Sequence, residues 1–209
     1  VHPIERLRFV ARARGVPGDV LAMEATAALM TFADDPAALV AGCRRVLSRQ
    51  SGCGPLWWAC SRLLTADDLR ATARETIAAL EGDTTEAALS IALFGDHDAG
   101  DRESRGSGRP QLVRAHAIGG GCAIVDASEL DAMDPISEPR WLVAGVGVHL
   151  SDPMWSSLVQ HWSAARPGDQ DLVTVDRFTH FVGPDGPLPL VALGEADCPV
   201  ASELFRLAG

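Results

Sequence analysis

A chain of 209 residues, 47% apolar and 22% charged, has the composition of one or two packed globular domains, and with aromatics at only 5% its core must be mostly aliphatic. Its formal charge of −10 disfavours nucleic acid and anionic membrane surfaces as partners. Lysine, tyrosine and asparagine are absent, so Schiff-base chemistry, a P-loop and a protein-kinase catalytic apparatus are excluded, and a bound anion must be met by arginine, histidine or backbone N–H groups.

Residues 1–82 read as helices. Pro3 suits a first turn, and Ile4, Leu7 and Val10 recur at helical spacing. The arginines from Arg6 to Arg14 share that spacing and read as a solvated helix face. "ARGVPGDV" ends this helix, and residues 20–32 form the next. Asp34 or Asp35 caps a third, with Pro36 in its first turn and Leu39, Cys43, Val46 and Leu47 on one face. "LWWACSRLL" is a short apolar helix whose Trp57 and Trp58 are core. Thr65 is expected to cap the helix that follows, with Asp68 as its capping-box partner.

Residues 83–94 form a connecting helix. Residues 95–110, "GDHDAGDRESRGSGRP", offer almost no apolar side chain and are expected to be a mobile polar loop. Asp96, His97 and Asp98 within it look like metal ligands, but a metal site needs a fixed set of partners, so no metal is expected. Residues 111–209 read as a reduced α/β domain. "LVRAHAI" (112–118), "CAIVDA" (122–127), "WLVAGVG" (141–147) and "DLVTV" (171–175) are strands. The near-continuous apolarity of the third suggests burial on both faces, as in a parallel sheet. Ser151 or Asp152 caps a helix with Pro153 at its start, and Pro184-Asp185-Gly186 turns a final hairpin.

The cysteines are Cys43, Cys53, Cys60, Cys122 and Cys198, and no pair has C-x-x-C spacing. With no secretion signal or membrane-length apolar run, free thiols in a reducing cytoplasm are expected. Gly145-Val146-Gly147 lacks the third glycine of a dinucleotide fingerprint, and no cofactor is expected. Strand carboxyl ends are nevertheless where α/β sheets bind ligands, which makes Gly147, Ser151 and His149 candidates. Gly119, Gly120 and Gly121 form either an anion nest or a tight turn. Cys122 is either a nucleophile or an inert buried thiol. Asp126 and Ser128, at the end of their strand, either orient a sugar hydroxyl or shape a turn. If the strands are parallel, Gly119, Asp126 and Gly147 meet at one rim.

"HPIERLRFVARA", "GPLWWACSRLL", "WLVAGVGVHLSDPMW" and "DRFTHFVGPDGP" together resemble a group of actinobacterial proteins similar to the initiation factor 2B alpha/beta/delta and methylthioribose-1-phosphate isomerase superfamily. The resemblance covers about residues 2–65 and 122–205. It implies an α plus α/β architecture, a helical domain followed by a small, truncated Rossmann-like domain with a parallel or mixed sheet, and a homodimer formed through that second domain. The isomerases of that superfamily use a cysteine in a Cys-Asn-x-Gly-type loop and an aspartate in an Asn-Gly-Asp loop. With no asparagine, this chain keeps neither motif intact. The expected function is therefore a non-catalytic regulatory or interaction protein, able to sense a phosphorylated small molecule. The alternatives are a sugar-phosphate or nucleotide isomerase rebuilt around Asp126, Cys122 and His149, and a purely structural interaction protein.

Overall fold

The computed structural model of the protein describes residues 3–94, 110–133, 139–165 and 168–206. Six helices come first: α1 (Pro3–Arg12), α2 (Gly18–Leu29), α3 (Pro36–Leu47), α4 (Gly54–Leu64), α5 (Leu69–Glu81) and α6 (Thr85–Phe94). Their ends follow local chemistry. The Asp35 carboxylate accepts the Ala38 amide at 3.0 Å and Pro36 occupies the first turn of α3, while Pro55 does the same in α4. The start of α5 differs from expectation. Asp68 itself is the cap, accepting the Ala71 amide at 2.9 Å, whereas the Thr65 hydroxyl turns back to donate to the Ser61 carbonyl at 2.9 Å and closes α4. Residues 66–68 lie between the two helices, so Thr65 belongs to the end of one and Asp68 to the start of the next.

The second half is a mixed six-stranded sheet with helices. Its elements are β1 (Gln111–Gly119), β2 (Cys122–Asp126), α7 (Ala127–Asp131), β3 (Arg140–Val143), α8 (Asp152–Ala165), β4 (Gln170–Thr174), β5 (His180–Gly183) and β6 (Gly186–Pro189), with strand order β4-β2-β1-β3-β5-β6. β1, β3 and β5 are parallel, whereas β2 is antiparallel to both β1 and β4, and β6 is antiparallel to β5. The triple glycine is the tight turn between β1 and β2. Gly120 (φ 52°) and Gly121 (φ 72°) both take the left-handed conformation that a two-residue hairpin turn of type I′ requires. β3 is shorter than the expected 141–147 strand. Its ladder stops at Val143, and the chain passes through Gly147 at φ 75° before rejoining β1 by a bridge from His149 to Ile118. The expected loop 95–110 lies, apart from Pro110, outside the described residues, and Asp96, His97 and Asp98 lie there with it.

One apolar core joins the two halves. Leu29, Val46, Leu56, Trp57 and Leu63 from the helices are continuous with Ala117 and Ile124 of the sheet, with Met154 and Leu158 of α8, and with Leu204 near the end of the chain. A second cluster, including Val113, Val125, Leu142 and Phe181, lies on the other face of the sheet. The C-terminal segment forms a single 3-10 turn at Ser202–Leu204. No described helix is long and apolar enough to cross a membrane.

Candidate functional site

β1, β3 and β5 run parallel; β3 and β5 end near the level of Arg114, and β1 continues to a rim at its own carboxyl end. Gly119–Gly121 and the segment Gly147–Ser151 meet there. The Ile118 amide donates to the Val148 carbonyl at 2.8 Å, and the Leu150 amide donates to the Ile118 carbonyl at 2.9 Å. Asp126 and Ser128 are elsewhere. β2 runs antiparallel to β1, so Asp126 is at its far end and pairs with Gln170, while Cys122 pairs with Gly119. Four residues of extended chain, about 13 Å, separate Cys122 from Asp126. The three catalytic candidates therefore do not converge: Cys122 and His149 lie toward the rim and Asp126 lies away from it.

The glycines of the rim make room for the protein's own side chains. A Cβ on Gly147 would lie 2.9 Å from the Trp58 indole and 3.2 Å from the Pro55 backbone, and one on Gly119 would lie 2.6 Å from Trp155. One on Gly145 would strike the Asp83 carboxylate. That carboxylate sits between α5 and α6. Its Oδ2 accepts the Val146 amide at 2.8 Å, and its Oδ1 accepts the Thr85 amide at 2.9 Å and the Thr85 hydroxyl at 2.6 Å. Beside it, the Thr84 hydroxyl donates to the Pro184 carbonyl at 2.9 Å. The space above the strand ends is thus filled by α4, α8 and the α5–α6 junction. Sequence reasoning missed this contact, because the Val146 partner of Asp83 lies 63 positions away.

The electrostatics of the rim do not favour an anion. Asp83 and Asp152 both bring carboxylates to it, and the arginines of the described ion pairs, Arg6, Arg8, Arg62, Arg70 and Arg114, bind acids elsewhere. The Ser151 carbonyl accepts the Trp155 amide at 2.8 Å to begin α8, while the Ser151 hydroxyl faces Cys198. Burial pushes the Cys198 thiol up, only partly offset by the Ser151 amide and by the hydroxyls of Ser151 and Ser61. Burial also carries Cys53 up to about 12, and Cys60 is held well up by the neighbouring Cys43 thiol and by burial. These three are neutral, poorly nucleophilic thiols at neutral pH.

Asp126 has a partner that sequence reasoning missed. His116 Nε2 lies 3.0 Å from Asp126 Oδ1, and both side chains are part-exposed. A β-bulge between Ala115 and Ala117 carries His116 into this position. The signal was available in principle, because a hairpin folded at Gly120-Gly121 sets residues near 115 opposite Asp126. No described group of three or more His, Cys, Asp or Glu side chains has the arrangement of a metal site.

Burial lowers the pKa of His149 against the opposing pull of Asp152, and lowers that of His161 against a hydrogen bond to the Phe205 backbone. Both imidazoles resist protonation in the folded protein, so the unfolded chain takes up protons first as pH falls. Their contribution to stability is complete above the ordinary histidine value of about 6.5 and is lost below it. The melting temperature is expected to fall between about pH 7 and pH 5, and His149→Gln to flatten that decline. Thermal melts across this range, with no difference in slope between the two proteins, would remove His149 from the account.

No family model matches the chain, and no curated protein matches it. Solved structures do. The crystal structure of eIF2B beta from Chaetomium thermophilum aligns with a TM-score of 0.60 and 12% identity over 90% of this chain and 88% of that one. A chain of the tetrameric eIF2B-beta2-delta2 complex from C. thermophilum aligns with a TM-score of 0.59 and 11% identity over 90% of each. At this identity the likeness is one of fold: a helical first half followed by a Rossmann-like sheet.

Proposed function

We propose that this protein is a non-catalytic regulatory or interaction protein of the initiation-factor-2B-like type, acting in the cytoplasm as a homodimer. The observation that carries the reading is the closed rim. In an α/β sheet the strand carboxyl ends are the default place for a ligand, and here Trp58, Trp155 and Asp83 occupy that place. The fold likeness to eIF2B subunits supports the same reading. The isomerase alternative needs an acid, a base and a substrate in one cleft, and Asp126 is a strand length from Cys122.

A sensor of this type would meet a phosphorylated small molecule at Gly119–Gly121 and Gly147–Ser151, next to two carboxylates. Inorganic phosphate and ribose 5-phosphate, titrated while backbone amide shifts are followed, are expected to shift these residues only at concentrations above about 1 mM, or not at all. Micromolar binding there, or turnover of a ribose phosphate abolished by Asp126→Ala, would overturn the non-catalytic reading in favour of an isomerase.

A further inference from the structure

Among the described residues the sheet has two free edges, and they are built differently. At one end, Val182 of β5 faces β3, since its carbonyl accepts the Ala144 amide at 2.9 Å. Backbone polarity alternates along paired strands, so Pro187, which is opposite Val182, and Pro189 turn their nitrogens outward. Neither has an N–H, and this edge offers an incoming strand no donor at either position. At the other end, the Ala127 amide donates to the Asp169 carbonyl at 3.0 Å, and the Val175 amide donates to the Gly121 carbonyl at 3.0 Å. The odd-numbered residues of β4 therefore face β2. Gln170, Leu172 and Thr174 point their N–H and C=O groups outward, and no described backbone group pairs with them. Leu172 is 42% exposed at the centre of this row. An open edge beside a blocked one is a template for strand addition.

We propose that the free edge of β4 pairs with β4 of a second copy of this chain, antiparallel about a two-fold axis through Leu172. This rests on the homodimer reading above and assigns its surface. The homodimer reading supplies the occupant, and the register accommodates it. Three outward residues centred on Leu172 are self-complementary under a two-fold: Leu172 meets its own copy, and Gln170 meets Thr174 in reciprocal N–H···O=C bonds. The neighbouring charge is tolerated, because Asp171 falls opposite Val173 and no like charges stand directly across the seam. The result is one continuous sheet running through both copies.

Light scattering on the full chain tests the proposal with two substitutions. Leu172→Pro removes the central outward donor yet leaves the inward bonds of Asp171 and Val173 in place, imitating the other edge. Leu172→Lys sets two like charges against each other on the axis. Wild type is expected at twice 22.1 kDa at micromolar concentration, and both variants at 22.1 kDa, with dissociation constants raised at least about tenfold. Amide hydrogen exchange gives a second reading that does not depend on a folded variant. The Leu172 and Thr174 amides of wild type should be protected at high protein concentration and exchange rapidly on dilution. A wild-type dimer that persists in both variants, or Leu172 exchange independent of concentration, overturns the β4 surface and leaves the dimer standing. A wild-type monomer overturns both.

Discussion

Trp57→Ala is expected to cost about 3–5 kcal/mol, the range for removing a large buried aromatic. Trp57 is 0% exposed at the centre of the joint core. Its indole N–H donates to the Ser51 carbonyl at 2.9 Å, and its ring stacks on His161 with centroids 6.0 Å apart. The substitution therefore opens a cavity and orphans a buried carbonyl together. Domains of this kind are stable by only about 5–15 kcal/mol, so the melting temperature should fall by on the order of 10 °C for a chain of this length. Trp57→Phe keeps most of the ring and loses the hydrogen bond, and should cost less. Denaturant unfolding of the two variants separates the contributions. A loss under about 1 kcal/mol for Trp57→Ala would mean that the surrounding helices collapse into the space.

Asp83→Ala is expected to cost about 3 kcal/mol, because hydrogen bonds to a charged acceptor are individually worth roughly 1.5–3 kcal/mol. Three donors converge on this carboxylate, the Val146 amide, the Thr85 amide and the Thr85 hydroxyl. Together they fasten the end of the helical half to the strand rim. Asp83→Asn discriminates a fastening of this kind from a simple surface charge. An amide presents one accepting and one donating side, so either Val146 or Thr85 faces a donor instead of an acceptor. Asn should therefore be nearly as damaging as Ala. The measurement is thermal unfolding combined with exchange of the Val146 amide, which should accelerate in both variants. An Asn variant as stable as wild type would show that charge alone, or nothing at all, acts at this point.

The helices were legible because their signals are local. Asp35-Pro36 starts a helix where expected, and Pro184-Asp185-Gly186 turns the last hairpin. Gly120-Gly121 announced a tight turn for the same reason, since left-handed backbone is glycine's property. The direction of β2 was less accessible. A three-glycine segment between apolar runs permits either a hairpin or a cradle, and the hairpin moved Asp126 away from Gly147. The site was half legible. Gly119 and Gly147 do mark a place where something approaches the backbone closely, but a glycine does not say what approaches. Here it is Trp155 and Trp58, from 36 and 89 positions away. Asp83 and His116 were missed on the same physical ground, because their partners are set by tertiary register and not by neighbours in the chain.

The joint core also sets the order in which the protein can be completed during synthesis. Helices α1 to α5 leave the ribosome first, yet the apolar surface around Trp57 and Leu56 is finished only by Met154, Leu158 and Leu204. Translation at about 5–20 residues per second separates these events by on the order of ten seconds. Through that interval the nascent helical half exposes tryptophan, leucine and three cysteine thiols destined for burial or near-burial, Cys43, Cys53 and Cys60. The chain is then most exposed to aggregation and to thiol oxidation, and a holding chaperone that binds apolar helical segments would have its greatest effect on yield in that window.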